Sequence, residues 1–162
     1  MQNSIAENIT TFLKQYEPFN FIEYSDLKAI VLNSNILTLQ KGKTLFKIND
    51  ELHDSFYIVY SGVVHLTKVL DAEEVLHSKC YSGNLFGLRP FFAKNNYVLN
   101  ATANEDAILY AIPIAVFKPY LTKYTAVLGY FLENFATQAK PKKENYQQIM
   151  TYIKLILVVL PT

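Results

Sequence analysis

"GNLFGLRPFFAKNNYVLNATANEDAILYAIP", residues 83–113, decides how this chain is read. A Phe-Gly turn at Phe86-Gly87 runs into Leu88-Arg89-Pro90, and Arg89 is the only arginine in a 162-residue chain otherwise served by lysine. Proline suits the first turn of a helix, so the spacing predicts a short helix entered straight from that turn. The stretch then passes Tyr97, Val98, Leu99 and Asn100 and turns through NATANED. It ends in AILYAI, an apolar run of strand length.

Upstream lie ILTLQ, TLFKI, SFYIVYSG, VVHLTKVL and EVLHSKCY, short runs rich in β-branched and aromatic residues, each bounded by Gly, Asn, Asp or Ser. Asp71-Ala72-Glu73-Glu74 reads as a polar hairpin tip between two of them. Closely spaced strands with helices only at the two ends describe an α+β chain that is mainly β. The expected architecture is an antiparallel double-stranded β-roll, jelly-roll-like, flanked by N- and C-terminal helices and enclosing a pocket beside Gly87.

The flanks carry helical periodicity. Ser4 and Glu7 have capping-box spacing, with Ile5, Ile9, Phe12, Leu13 and Tyr16 following on one face until Pro18. Ser25 is expected to open a second helix with Leu27, Ile30, Val31 and Leu32 inward. Pro113 suits a first helical position for the segment after the roll, and Pro119 is expected to limit that segment to one turn or to start a fresh helix. Val127, Leu128, Phe131, Leu132 and Phe135 then form an apolar stripe. Pro141 interrupts before NYQQIMTYIKLILVVL, which is read as helix over strand. The expected division is a domain over 1–140 and a helical appendage or truncated linker over 141–162.

Composition narrows the function classes. Half the residues are hydrophobic, yet no run approaches the roughly 18 apolar residues of a membrane span. MQNSIAENITTFLKQ lacks the basic end and apolar run of a signal peptide, and the lone Cys80 has no internal partner, so a cytoplasmic setting is expected. Net charge is +1, and the single basic run, Lys140-Pro141-Lys142-Lys143, reads as a solvated linker, so no direct nucleic-acid binding is expected. His53, His65 and His77 are too scattered for a metal site, and no nucleophile elbow, P-loop or zinc-protease motif appears. The paired carboxylates at Glu73-Glu74 read as solvated. No catalysis and no metal are expected.

The ordered set Lys41-Gly42-Lys43-Thr44-Leu45-Phe46, Phe56-Tyr57-Ile58-Val59 with Ser61-Gly62, Gly83 to Gly87, and Ala103 to Ile112 is specific in order and spacing. Together these features resemble the cyclic-nucleotide-binding domain of the catabolite-activator and protein-kinase regulatory-subunit superfamily, over about Leu27 to Gln138. The resemblance implies a phosphate-binding cassette. The amides of the short helix face the phosphate, a glutamate after the Phe-Gly glycine takes the ribose hydroxyl, and an arginine one loop later grips the phosphate. In this chain Leu88 stands at the glutamate position, and the arginine position falls between Tyr97 and Leu99, where no cation lies. The cassette is therefore that of a divergent, degenerate member.

What the resemblance implies is a regulatory, ligand-sensing module of signal transduction, with cyclic nucleotide held weakly and no other cofactor. The candidate pocket is Phe86, Gly87, Leu88, Arg89, Pro90, Tyr97, Val98, Leu99, Asn100 and Thr102. Arg89 either replaces the missing arginine and holds a small anion, or points outward from the helix, or pairs with Asp106 or Glu105. The alternatives are a working receptor rearranged around Arg89, Asn100 and Thr102, or the sensory domain of a transcription regulator whose effector region is missing from this chain. The apolar stripes of the C-terminal helices imply a homodimer.

Overall fold

A computed structural model describes residues 2–138, which divide into two compact units, one holding the residues up to Asn33 and those from Ile114 onward, the other Ser34–Pro113. The reading of 141–162 lies outside the described residues.

The second unit is the roll. Its strands are β1 (Asn35–Leu39), β2 (Thr44–Phe46), β3 (Ser55–Ser61), β4 (Val64–Leu70), β5 (Glu73–Cys80), β6 (Leu85–Phe86), β7 (Asn100–Ala103) and β8 (Ala107–Pro113). They form two four-stranded sheets in the orders β1-β8-β3-β6 and β2-β7-β4-β5, every pair antiparallel. Alternation points one face of each sheet into a shared core: Leu39, Tyr57, Val59, Leu109 and Ala111 from the first, Phe46, Val64, Leu66, Ala101 and Ala103 from the second. Burying each large side chain here contributes about 1.5–3 kcal/mol over leaving it exposed. The expected mainly-β, antiparallel roll with helices at both ends is what the chain forms.

NATANED is not a simple turn. Asn100–Ala103 is the strand β7, paired with β2 on one side and β4 on the other. Asn and Ala are poor strand formers and only Thr favours the extended chain; two ready-made neighbours override that local preference. The turn itself is confined to Asn104–Asp106, where the Asp106 carboxylate accepts the Lys41 backbone N–H at 2.8 Å. The hairpin tip is likewise tighter than expected: Asp71 and Ala72 both take positive φ, and Glu73 already belongs to β5.

The other unit contains α1 (Gln2–Leu13), a 3-10 turn (Phe19–Phe21), α2 (Tyr24–Leu32), α4 (Ile114–Lys123) and α5 (Thr125–Gln138); the roll's own short helix is α3 (Arg89–Ala93). Helix α1 is under way at Gln2, so Ser4 lies inside its first turn and is not the cap. Its buried stripe is Ala6, Ile9, Thr10 and Leu13, rotated away from the exposed Ile5; the Thr10 hydroxyl is satisfied by the Ala6 carbonyl at 2.6 Å. Small residues at 6 and 10 set that rotation. In α2, Leu27, Ile30 and Val31 are buried as expected, whereas Leu32, the last residue of the helix, is 57 % exposed.

Pro113 closes β8 opposite Ser55 and does not open the helix. Pro119 sits inside α4 without ending it, because buried Ile114, Phe117 and Leu121 hold the turns on either side of the one lost amide. Phe117 then meets Phe19 and Phe131 edge-on, each at 6.1 Å. At the α4–α5 junction the Tyr124 hydroxyl donates to Asp26 and accepts the Glu23 N–H, while Lys123 approaches Asp26 at 2.8 Å.

Candidate functional site

The candidate site grows from the loop that joins β5 to β6. Gly83 donates to the Val59 carbonyl at 2.7 Å, and Val59 donates back to Asn84, which docks the loop on β3. Strand β6 ends at Gly87, whose φ of +84° opens the sharp exit into α3. A side chain at Gly87 would meet the Tyr57 ring at 3.3 Å and the Phe46 ring at 3.7 Å. Leu88 caps α3, Pro90 stands in its first turn, and Lys94 ends it in the left-handed conformation. The expected helix after the Phe-Gly turn is thus present, five residues long.

The roll beside Gly87 is packed with rings. Tyr97 is 1 % exposed and stacks on Phe46, centroids 3.6 Å and planes 5° apart. Phe86 lies 5.5 Å from Tyr57 and 6.2 Å from Phe46. His53 meets Tyr97 edge-on at 5.3 Å and shares a hydrogen bond through Nδ1 with the Tyr57 hydroxyl. Burial holds the Tyr57 and Tyr97 hydroxyls above the ordinary phenol pKa, so both stay neutral.

The ten sequence-nominated residues do not converge on one space. Phe86, Gly87, Tyr97 and Leu99 gather at the packed interior, with Leu99 half-buried against the core cluster. Leu88 is 2 % exposed, while Val98 is 59 % exposed. Asn100 and Thr102 alternate with the core residues Ala101 and Ala103, so they occupy the opposite face of β7. There they line a polar cavity of about 530 Å³ with Thr44, His65, Thr67 and Glu74. Thr44 and Thr102 share a hydrogen bond at 3.1 Å, and Glu74 accepts from both Thr67 and Asn100. Glu74 is thus tied into a sheet face, which its position beside a hairpin did not suggest.

Arg89 and Pro90 are half-buried at the start of α3. Desolvation first, then the charges of Lys68 and Arg89, hold the His77 pKa below its ordinary value. Sequence reasoning missed His53, one of several polar residues in the β2–β3 connection; only its tertiary position gives it a role. Burial alone raises the Cys80 thiol to about 11, so it stays protonated. Among the described residues no group of three or more His, Cys, Asp or Glu could hold a metal, and no helix is long and apolar enough to cross a membrane.

Comparison with known proteins places this arrangement. Residues 36–124 match the model of the cyclic nucleotide-binding domain. No curated protein matches. Among solved structures, the sensor domain of the transcriptional regulator DNR from Pseudomonas aeruginosa is similar with TM-score 0.74 and 20% identity, covering 83% of this chain and 90% of that one. The regulatory domain of Toxoplasma gondii protein kinase A, solved with cAMP, gives TM-score 0.65 at 22% identity, over 70% of this chain and 43% of that one. The regulatory subunit of a cAMP-independent protein kinase A from Trypanosoma cruzi, bound to guanosine, gives 0.70 at 17% identity, over 90% and 50%. The chain therefore spans half or less of those kinase regulatory chains, and at such identities the likeness is one of fold. With over half its length matched by the family model, and with the roll, glycine turns and cassette helix in place, the chain belongs to the cyclic nucleotide-binding domain family.

Proposed function

We propose that this chain is a regulatory sensing module, degenerate for cyclic AMP and cyclic GMP and without catalysis. The observation that carries this reading is Tyr97 buried on Phe46, in the stretch where the family resemblance expects a phosphate-gripping arginine. Leu88, also buried, stands where the ribose-binding glutamate is expected. A hydrogen bond to a charged group contributes about 1.5–3 kcal/mol, so two missing ones weaken binding by about 3–6 kcal/mol, roughly a hundred- to ten-thousand-fold. Occupation of the interior by rings adds a steric barrier to that loss.

The module acts in the cytoplasm, as a homodimer through its C-terminal helices, with residues 141–162 a separate appendage and with no direct contact to nucleic acid. A small anionic ligand finds its attraction at Arg89 and the backbone amides after Gly87. Calorimetric titration with cyclic AMP and cyclic GMP tests the reading: dissociation constants no tighter than about 100 μM are expected, and a low-micromolar constant overturns it. Sedimentation showing a strict monomer at high micromolar concentration removes the homodimer.

A further inference from the structure

The polar cavity on the outer face of the second sheet is assembled from all four of its strands. Thr44 comes from β2, Asn100 and Thr102 from β7, Thr67 from β4 and Glu74 from β5, with Lys47 just beyond the end of β2. Asn100 and Thr102 alternate with the core residues Ala101 and Ala103, so this face is separate from the packed interior beside Gly87. Asparagine is depleted in strands, and Asn100 holds its place in β7 against its own preference.

The Asn100 side chain is the hub of the cavity. Its oxygen accepts the Ile48 backbone N–H at 2.8 Å, and its nitrogen donates to Glu74 Oε1 at 3.3 Å. The Thr67 hydroxyl donates to the same Glu74 oxygen. Two donors therefore orient the Glu74 carboxylate, while Oε2 has no hydrogen-bond partner among the described residues. On the Ile48 side of Asn100, the Lys47 backbone N–H donates to the Asp50 carboxylate at 2.9 Å, which fixes where the Lys47 side chain begins. Polar groups oriented by their neighbours in this way lose little freedom when a ligand arrives.

With His65 neutral, Lys47 and Glu74 carry the formal charges of the lining. They are opposite in sign, yet they form no ion pair with each other. We propose that this cavity is a site for a small zwitterion of the amino-acid class, its ammonium on Glu74 Oε2 and its carboxylate on Lys47. The lining selects that class. A lone anion meets the repulsion of Glu74, and a lone cation that of Lys47. No Phe, Tyr or Trp lines the cavity, so a sugar ring finds no flat face to stack on. A molecule carrying both charges satisfies both residues at once, and the Thr44 and Thr102 hydroxyls lie in the same cavity to meet its remaining polar atoms.

An NMR titration of the isotope-labelled full chain with glycine, β-alanine and γ-aminobutyrate tests this, three probes that differ in the distance between their charges. The Asn100 side-chain amide and the methyl groups of Thr44, Thr67 and Thr102 report from the cavity. At least one probe is expected to shift these signals saturably with a dissociation constant of about 1 mM. Acetate and methylammonium, each with a single charge, should bind about tenfold more weakly or worse. Glu74→Gln keeps an acceptor for Thr67 and Asn100, and Lys47→Met keeps the aliphatic stem. Each should weaken binding of that zwitterion about tenfold or more while the thermal midpoint stays within about 2 °C of wild type. The absence of shifts at these residues with all three probes up to about 50 mM overturns the proposal. Binding of acetate, methylammonium or glucose as tight as that of the zwitterion overturns it too, as does undiminished binding in both variants.

Discussion

Leu88→Glu returns to the chain the side chain that the family resemblance expects after the Phe-Gly turn. Leu88 is 2 % exposed, so the change removes a buried aliphatic side chain and asks the site to accept a carboxyl. Loss of the apolar burial costs about 2 kcal/mol. A buried carboxyl without its partner costs a further 1–3 kcal/mol or so. The sum, about 3–5 kcal/mol, lowers the melting temperature by roughly 6–20 °C at 2–4 °C per kcal/mol. Burial raises the carboxyl's folded pKa above its unfolded value, so the deficit is smallest below the unfolded value of about 4.3 and grows as pH rises toward the folded one. Circular-dichroism melts at pH 4.5 and 7.5 read both effects, with the larger deficit expected at pH 7.5. Combined with Tyr97→Arg, the change should still leave cyclic AMP weakly bound, because Phe46, Tyr57 and Phe86 continue to fill the space. A Leu88→Glu chain as stable as wild type at pH 7.5 that also titrates with low-micromolar cyclic AMP would refute this reasoning. It would mean that only the anchors were missing.

Other consequences follow from single positions. At Gly62, φ is +84° and an added Cβ would collide with the Asp106 carbonyl oxygen and lie 2.8 Å from the Ala107 Cα, so Gly62→Ala is expected to destabilise the roll by about 2–4 kcal/mol in urea unfolding. An unchanged urea midpoint would contradict the close approach. Hydrogen bonds from Lys123 and then Tyr124 hold the Asp26 carboxyl below its ordinary pKa of 3.8. Its contribution is therefore complete above pH 3.8 and disappears as pH falls through the lower folded value. Asp26→Asn should be less stable than wild type at pH 6 and converge with it once pH falls below the lowered folded value. Parallel stability curves for the two chains across that range would remove the ion pair from the account.

How much of this was written in the sequence depends on whether local or distant forces decide. The strands β3, β4, β5 and β8 were legible because their residues carry their own β preference, β3 and β8 as continuous apolar runs buried on both faces and β4 by alternation. The turn at Phe86-Gly87 and the helix after it were legible for the same reason: glycine and proline act through their own dihedrals. Strand β7 was not, since Asn100-Ala101-Thr102-Ala103 becomes a strand only between β2 and β4. The stripe of α1 was misplaced for want of one fact, that small Ala6 and Thr10 and not Ile5 turn inward. At the candidate site, the absence of charge at Leu88 and between Tyr97 and Leu99, where the family resemblance expects it, was visible in the sequence. The filling of the interior was not, because the stack of Tyr97 on Phe46 joins residues 51 positions apart. Nor could spacing reveal that Asn100 and Thr102 face away from Phe86 and Gly87; that follows from the strand that NATA becomes.

The pairing of β1 with β8 has a mechanical consequence. Asn35, two residues after the last residue of the first helical segment, lies opposite Ala111, three residues before the next one begins. The roll is thus a closed cassette whose entrance and exit stand on neighbouring strands, about 5 Å apart as paired strand residues are. Tension on either connecting segment reaches the same rung of the same sheet, and a slip of that rung displaces both connections together.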